Sequence, residues 1–208
     1  MLDVGAGAGS LGLILRRERP DIAYRFREPE PELEAVLIET FGAKSNAPSG
    51  TNFAPKVCAV FLDVIEHVPD DVALLRAVAD ELPPGSTIAV TVPAFTLLWS
   101  RWDTTVGHYR RYNRKQIRRV LADAGLDAVD ARYIFPELFP VAVVRRVFRL
   151  GGGDFPPVAR PVNWLFWTIG KLTQLLGRLT PVGTSVVAAG VTERGGTEAD
   201  RQSRTPRR

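Results

Sequence analysis

The residues best suited to chemistry stand at the start of the chain, in the segment LDVGAGAG. Its glycines, Gly5, Gly7 and Gly9, let the backbone turn sharply and let a ligand approach without a Cβ in the way. A helix that begins after such a turn offers free N–H groups to a polar ligand. Several nucleotide-binding folds share this pattern, so by itself it indicates only the general class of ligand.

The spacing of the glycines and one carboxylate narrow the choice of ligand. The third glycine follows the second by two residues, whereas the dinucleotide fingerprint GxGxxG requires three. Asp3 stands directly before the turn, where its charge would repel a pyrophosphate but can pair with a cationic amino group. These features favour the methionine end of S-adenosylmethionine over NAD.

Glu28 is a second acidic candidate, about 20 residues after the glycine turn and at the end of a predicted strand. At the carboxyl edge of a parallel sheet, such an acid accepts hydrogen bonds from both ribose hydroxyls. The alternative is a surface glutamate at a strand end. The glycine turn upstream favours the ribose role.

These residues require a sheet that brings strand ends together, and the sequence pattern predicts one. Strands and helices alternate, which indicates an α/β architecture with a mostly parallel sheet. Strands are predicted at 1–4, 22–27, 57–62, 87–92, 126–134 and 185–192, and helices at 10–19, 32–41, 70–82 and 113–124. Asp70 or Asp71 is expected to cap the third helix, and Asn113 with Gln116 forms a capping box at the fourth.

Five stretches carry a family resemblance. LDVGAGAG, REPEPELEA and VFLDVIEHVPDDVALLRAVADELPPGSTIAVTVP resemble the class I S-adenosylmethionine-dependent methyltransferases in order and spacing. LWSRWDTTVGHYRRYNRKQIRRVLADAGL and the closing PVGTSVVAAGV are similar to a bacterial subfamily of the methyltransferase type 11/12 group. The resemblance implies a Rossmann-like doubly wound sheet of about seven strands, mostly parallel, with the last strand antiparallel and the first truncated. It implies a methyltransferase domain at 1–192, with an apolar, basic helical insert at about 138–179, and a disordered tail at 193–208.

The resemblance also assigns a cofactor site. Asp3 and the glycines would hold the methionine end of S-adenosylmethionine, and Glu28 would hold its ribose. The full predicted cofactor set is Asp3, Gly5, Ala6, Gly7, Gly9, Glu28, Pro29, Leu62 and Asp63. Glu66 and His67 match the EHV segment of the family, where packing or capping is the expected role of His67 and proton transfer is the alternative.

Two features depart from the family pattern. Family members have a helix and more strand before the LDVG segment, so a start at Met1 is typical of a fragment or of a misplaced start. They also have a strand within 41–57 that ends in an acid touching the adenine, whereas no acidic residue occurs at 42–62. Asn46 or Asn52 would have to take the place of that acid. Both departures weaken the expected cofactor affinity.

The acceptor side is predicted from the loop after the strand at 87–92, because loops at the carboxyl edge line the ligand crevice. Methyl transfer requires the protein to position the acceptor and, where needed, to remove its proton. The candidates are Trp99, Asp103, His108, Tyr109 and Arg111. His108 and Tyr109 would transfer protons and Arg111 would bind an anionic group; packing aromatics and solvated arginines are the alternative. No metal site is expected, since two histidines and one cysteine lie far apart in sequence.

Charge and hydropathy bound the partners. The net charge is +4, and a basic run at 110–119 permits an anionic partner, although a solvated helix face is the simpler interpretation. The insert at 138–179 mixes apolar and basic residues, which fits a packing element better than a segment lying on a membrane surface. No apolar stretch reaches the ~18 residues of a membrane span. The single cysteine, Cys58, fits a cytoplasmic protein, with peripheral membrane contact as a further option.

These patterns predict an S-adenosylmethionine-dependent methyltransferase with a small-molecule or lipid-like acceptor. An RNA methyltransferase is a second hypothesis, in which the basic run at 110–119 contacts phosphates. A third is a methyltransferase-like binding or scaffold protein without catalysis, suggested by the short first strand and the missing acid.

Overall fold

A computed structural model describes residues 1–53, 55–148, 164, 168–171, 173 and 180–193 of the 208-residue chain. Its strands are β1 (Leu2–Val4), β2 (Arg25–Arg27), β3 (Cys58–Leu62), β4 (Thr87–Pro93), β5 (Leu126–Ile134) and β6 (Ser185–Thr192). Its α-helices are α1 (Ser10–Glu18), α2 (Pro31–Phe41), α3 (Asp71–Glu81), α4 (Arg101–Thr105), α5 (Arg114–Asp123) and α6 (Phe139–Val147).

The strands form one sheet in the order β2-β1-β3-β4-β6-β5. Strands β1 to β4 are parallel to one another, and β6 is antiparallel to both of its neighbours, β4 and β5. From β1 the chain moves outward to β2 and then returns to the other side of β1 as β3. This reversal is a topological switch point, where open α/β sheets bind ligands at the carboxyl ends of their strands. The predicted fold class is confirmed.

The seventh strand position is held by one residue. Where the family has a strand within 41–57, the described chain has a short 3₁₀ turn at Ala43–Ser45 and a single parallel bridge between Phe26 and Asn46. The N–H of Ala47 donates to the carbonyl of Phe26 at 2.9 Å. Pairing stops there because Pro48 follows and has no N–H to donate. The sheet therefore has six strands among the described residues, with Asn46 at the outer edge of β2.

Buried side chains of α3 and α5, two helices that contact each other, meet the sheet. On β3, Ala59, Val60 and Phe61 are all buried, as expected for a strand covered on both faces. Leu75 and Val78 of α3 belong to the same core, as do Ile117 and Leu121 of α5. These helices hold the connections that follow β3 and β4 against the sheet.

The predicted caps of these helices are present. Asp70 accepts a hydrogen bond from the N–H of Ala73 at 2.8 Å at the start of α3. Asn113 and Gln116 form the reciprocal capping box of α5, with distances of 2.8 and 2.9 Å. Strand β2 is shorter than the predicted 22–27, because the chain still turns at Ile22, whose N–H donates to Arg19.

The predicted insert contains a described helix, α6, preceded by the 3₁₀ turn Pro136–Leu138. Most of the remaining insert, and residues 194–208 of the predicted tail, lie outside the described residues. Among the helices that the structure describes, none has the length and apolar character needed to cross a bilayer.

Candidate functional site

The glycine turn follows β1 and is hydrogen-bonded to the carboxyl end of β2. The N–H of Gly5 donates to the carbonyl of Arg27 at 2.8 Å. Gly5, Gly7 and Gly9 all have left-handed backbone angles, with φ of +72°, +54° and +74°, which side chains other than glycine rarely adopt. A Cβ on Gly5 would lie 2.8 Å from Val64, and one on Gly9 would lie 2.6 Å from Leu37.

Gly7 differs from the other two, because no described atom lies within 4 Å of the position its Cβ would take. Its N–H donates to Glu28 Oε2 at 2.7 Å. The N–H of Glu30 donates to Glu28 Oε1 at 3.1 Å, so this half-buried carboxylate ties the turn to the start of α2. Each carboxylate oxygen accepts more than one hydrogen bond, and capacity therefore remains for ligand hydroxyls.

Asp3 lies beneath the turn and is 3% exposed. The Tyr24 hydroxyl donates to Asp3 Oδ2 at 2.9 Å. Burial raises the pKa of Asp3 above its usual value; the Tyr24 hydrogen bond opposes this, and nearby Glu28 adds to it. Burial and the Asp3 charge also raise the pKa of Tyr24. A negative charge held at this depth is stabilised further by any cationic group that approaches it.

The remaining predicted cofactor residues lie at the same edge of the sheet, at or just after the carboxyl ends of β1, β2 and β3. Ala6 is half-buried and its carbonyl accepts the N–H of Gly9 at 2.9 Å, while Pro29 is exposed. Leu62, at the end of β3, is 42% exposed. Asp63 follows it, with its N–H directed at the carbonyl and the hydroxyl of Thr91, both at 3.1 Å.

Backbone strain gathers at this edge of the sheet. Asp63, Phe95 and Phe135 are the non-glycine residues with left-handed φ in the described part of the chain, at +55°, +55° and +57°. They follow the carboxyl ends of β3, β4 and β5 respectively. Such conformations cost of order 1 kcal/mol or more each and concentrate at functional sites. The strain therefore marks the edge that the glycine turn also occupies.

Asn46 is one of the two residues predicted to replace the missing acid. Its Nδ2 donates to Glu34 at 2.8 Å. Its Oδ1 is buried and meets no hydrogen-bond partner among the described residues. Asn52 lies in the loop that follows. Asn46 is therefore the better placed of the two, with an unused acceptor next to β2.

Asp103 organises the loop after β4. This fully buried residue accepts hydrogen bonds from the Ser100 N–H at 2.8 Å and from Arg111 Nε at 2.6 Å and Nη2 at 3.0 Å. Its Oδ1 lies 2.8 Å from His108 Nδ1. Burial alone would raise the pKa of Asp103, but the hydrogen bonds from Arg111 and His108 outweigh it and hold the pKa below the usual value.

The other predicted acceptor-side residues differ in how far their side chains are exposed to solvent. Arg111 also donates to the carbonyl of Ala94 at 3.1 Å, and its side chain is 13% exposed. The geometry thus gives Arg111 a positioning role, and its binding of an anionic group stays a prediction. Tyr109 is 57% exposed and Trp99 is half-buried, so both side chains reach the surface of the loop, and their contact with an acceptor stays a prediction.

Glu66 is the residue that sequence reasoning undervalued. It is fully buried, and neither carboxylate oxygen meets a hydrogen-bond partner in the described structure beyond its own backbone N–H. This burial raises the pKa of Glu66 to about 8. The rings of His67 and His108 lie beside it, with centroids 4.6 Å apart and an edge-to-face arrangement. The fold thus brings together the histidines whose distance in sequence argued against a shared site.

The basic run at 110–119 is engaged in internal contacts. Arg110 pairs with Asp71 at 3.1 Å, and Arg114 lies 4.8 Å from the centre of the Tyr133 ring. The ion pairs Arg118–Asp130 and Arg119–Asp123 measure 3.6 and 3.5 Å. Together with the Arg111–Asp103 pair, these contacts give each of the five arginines an intramolecular partner. The simpler interpretation of a solvated helix face fits Arg118 and Arg119, whose side chains are 52% and 84% exposed. It does not fit Arg110 and Arg111, which precede α5 and lie in more buried ion pairs.

Comparison with a known family decides what kind of domain this is. Residues 1–131 of the 208 match the profile of a family described as a methyltransferase domain. The chain belongs to this methyltransferase family. S-adenosylmethionine is the cofactor of these enzymes, as the resemblance implied. No curated protein matches the sequence.

Solved structures of methyltransferases share the fold. Haemonchus contortus phosphoethanolamine N-methyltransferase 2, in complex with S-adenosyl-L-methionine, superposes with a TM-score of 0.57 at 16% identity. The match covers 93% of this chain and 48% of that one, so this methyltransferase chain spans about half the length of the nematode enzyme.

Two archaeal structures give similar results. The complex between the Haloferax volcanii Trm112 methyltransferase activator and the putative methyltransferase matches with a TM-score of 0.58 at 16% identity, covering 92% of this chain and 81% of that one. A SAM-dependent methyltransferase from Archaeoglobus fulgidus matches with a TM-score of 0.54 at 16% identity, covering 92% and 85%. These likenesses establish the Rossmann-like methyltransferase fold.

Proposed function

We propose that this methyltransferase transfers the methyl group of S-adenosylmethionine to a small-molecule or lipid-like acceptor. The observation that carries the proposal is the 2.7 Å hydrogen bond from the Gly7 N–H to Glu28, at the switch point of the sheet. This bond holds the open glycine turn beside a carboxylate that can accept hydrogen bonds, which is the arrangement that a nucleoside ligand requires at this edge.

Each part of the cofactor has a matching group on this edge. The buried Asp3 carboxylate would attract the ammonium of the methionine end, and Glu28 would accept hydrogen bonds from the ribose hydroxyls. The unused Asn46 Oδ1 suits the amino group of adenine, since an amide oxygen accepts as the missing acid would. Leu62 and Asp63 would border the sulfonium. Methyl transfer then needs an acceptor atom held in line with the activated methyl carbon.

The acceptor is expected beside the loop that follows β4. Trp99 and Tyr109 reach its surface, while Asp103 and Arg111 hold it in place from beneath. His67 is exposed on the neighbouring connection after β3. Proton transfer by His67, His108 or Tyr109 stays a prediction.

A lipid-like acceptor is supported by the helix that follows β5. On α6 and just after it, Val141, Val144, Val147 and Phe148 are between 44% and 68% exposed. Arg145 and Arg146 lie between them in sequence. Exposed apolar side chains next to basic ones suit an amphipathic molecule with an anionic head.

Titration calorimetry of the full chain with S-adenosylmethionine tests the cofactor site. Removing one hydrogen bond to a charged group costs about 1.5–3 kcal/mol. We therefore expect Glu28→Gln and Asp3→Asn each to weaken binding by roughly 10- to 100-fold. Asp21→Asn, at an exposed ion pair with Arg19, is the matched control and should bind as the parent chain does. Absence of binding to the parent chain would overturn the proposal.

Transfer of labelled methyl groups separates the three hypotheses on function. The acceptors to offer are amines, hydroxylated aromatics, phospholipid vesicles and RNA, each with the same labelled cofactor. Label in the small molecules or lipids is the expected outcome. Label confined to RNA would replace the proposal with RNA methylation, which the ion pairs of Arg110 and Arg111 with aspartates disfavour, because they engage two of the arginines at 110–119. Cofactor binding without transfer to any acceptor would favour a binding or scaffold role.

A further inference from the structure

Two connections at the carboxyl edge bring three metal-binding side chains together. Glu66 and His67 lie in the 3₁₀ turn Ile65–His67 after β3, and His108 lies just after α4. One ligand atom from each residue lies within 4.8 Å of the others. A backbone hydrogen bond from the Tyr109 N–H to the Glu66 carbonyl, 2.8 Å long, holds the two connections together.

Both histidines have a partner for one ring nitrogen. His108 Nδ1 lies 2.8 Å from the buried carboxylate of Asp103, which leaves Nε2 directed away from that contact. His67 forms a hydrogen bond with the backbone of Val106. Histidines that bind metals almost always donate their other ring N–H to a carboxylate or a backbone carbonyl, because this fixes the tautomer and the ring orientation. Here both kinds of support are present.

The carboxylate of Glu66 is the second, independent observation. It is fully buried and lacks a hydrogen-bond partner in the described residues beyond its own N–H. Buried polar atoms in folded proteins nearly always have a partner, and an isolated buried carboxylate is strongly unfavourable. A cation between Glu66 and the two histidines removes this cost.

We propose that Glu66, His67 and His108 bind a divalent transition-metal ion with the ligand preference of Zn²⁺. Two imidazoles and one carboxylate are a ligand set that zinc and related ions accept, with at least one coordination position left open. Metal–ligand bonds of about 2.0–2.2 Å place ligand atoms roughly 3–4 Å apart. The present cluster reaches that geometry by closing about an ångström. His67 is exposed, so the ion enters from solvent past its ring.

A proton relay without metal is the competing use of the same residues. A relay requires a hydrogen bond between the Glu66 carboxylate and a histidine ring nitrogen. In the described structure neither carboxylate oxygen makes such a bond, and the two rings meet edge to face. In the metal site His67 and His108 serve as ligands rather than as proton acceptors.

The location links the metal site to the acceptor. Asp63, at the end of β3, acts electrostatically on both Glu66 and His67, so the cluster lies beside the predicted methyl-donor position. If the proposed function holds, the open coordination position would bind an oxygen or nitrogen atom of the acceptor and hold it near the methyl group. Metal binding itself does not depend on that step.

Metal titration of the untagged full chain, stripped with a chelator, tests the site with Zn²⁺ as the probe. We expect one equivalent to bind. Glu66→Gln, His67→Ala and His108→Ala should each weaken the affinity by at least about 10- to 100-fold, the range known for loss of supporting groups alone. Glu18→Gln, which alters an exposed carboxylate, is the control for surface binding. No binding to the parent chain, or equal binding by all variants, would overturn the proposal.

Thermal unfolding with and without Zn²⁺ separates metal binding from folding. Zn²⁺ should raise the unfolding temperature of the parent chain and of Glu18→Gln, because a ligand that binds only the folded state stabilises it. Without metal, Glu66→Gln should unfold near the parent temperature, since an amide of nearly the same size replaces a buried carboxyl group that has no partner to lose. A Zn²⁺-induced rise of the same size in Glu66→Gln would count against the site. Glu28→Gln should keep full metal affinity, so a failed metal site and a failed cofactor site give different results.

Discussion

The glycine turn and the Asp103 cluster, which consists of Asp103, His108 and Arg111, lie at the same edge of the sheet. They are built by different means. The turn is made of backbone: left-handed glycines, the Gly5 N–H on Arg27, and the Gly7 N–H on Glu28. The cluster is made of buried charged side chains, with Arg111 and His108 both on the carboxylate of Asp103. One half presents an open backbone surface at Gly7, and the other holds its loop through buried ionic contacts.

This difference predicts opposite responses to substitution. Changes in the glycine turn should act on cofactor affinity as much as on stability, because Gly7 faces open space. Changes in the Asp103 cluster should act first on stability, since they leave charges buried without partners. Measuring the stability and the cofactor affinity of variants in both regions therefore tests whether one region serves binding and the other serves stability.

The largest effect is expected for Asp103→Ala. The change leaves the Arg111 guanidinium, 13% exposed, without its carboxylate, and breaking a buried ion pair costs about 3–5 kcal/mol. Denaturant unfolding of the variant should show this loss in the free energy of unfolding. Asp21→Asn removes an exposed ion pair and should change it by less than about 1 kcal/mol. A similar small loss for both variants would show that the cluster does not hold the loop.

The glycine turn offers a matched pair with a smaller effect on stability. Gly9→Ala places a Cβ 2.6 Å from Leu37 Cδ2 at a φ of +74°, and the clash adds to the left-handed strain, for a loss of about 2–4 kcal/mol. Gly7→Ala meets no described atom within 4 Å and should lose only about 1–2 kcal/mol.

The two variants are informative together because we expect the one that loses less stability to lose more affinity for S-adenosylmethionine. Once corrected for the fraction folded, Gly7→Ala should weaken S-adenosylmethionine binding more than Gly9→Ala, since its methyl group points into the open space that we propose for the ligand. Unfolding curves and calorimetric titrations of both variants provide the test. Stronger cofactor binding by Gly7→Ala than by Gly9→Ala would mean that the ligand does not approach the turn at Gly7.

The two halves also differed in how well sequence predicted them. The turn and the caps of α3 and α5 were predictable, because each depends on residues close in sequence and on backbone preferences. Glu28 was predictable for another reason, since the expected parallel sheet places the ends of β1 and β2 side by side. The strand that family members have within 41–57 was not predicted from the pattern of this chain, and it is reduced to the bridge at Asn46. The proline that follows was visible in the sequence, but the remaining pairing was not.

Sequence predicted the residues of the Asp103 cluster as candidates, but it did not predict their contacts with one another. Asp103, His108 and Arg111 were chosen from the loop that should line the crevice, yet their mutual bonds depend on how the loop folds back after α4. Glu66 and His67 come from another connection, and tertiary packing alone places them beside His108. The only signal was the apolar pair Val64 and Ile65 directly before Glu66, and it was weak because glutamate is almost never fully buried unless it is paired.

The smallest effect is expected from the pH dependence that Asp3 adds to the glycine half. Its pKa is raised, mainly by burial, so the folded state holds the Asp3 proton more tightly than the unfolded chain does. The resulting stabilisation is full below the ordinary aspartate pKa of about 3.9 and is lost as the pH rises through the raised value in the folded state.

Asp3→Asn lacks this titration. The free energy of unfolding of the parent chain should therefore fall relative to that of Asp3→Asn as the pH increases from about 4 toward neutrality. Urea unfolding of both proteins across that range measures the difference, and a parallel pH dependence would show that Asp3 titrates alike in the folded and unfolded states. Saturating S-adenosylmethionine should shrink the difference, because a cationic ammonium next to Asp3 favours the charged carboxylate and lowers its pKa.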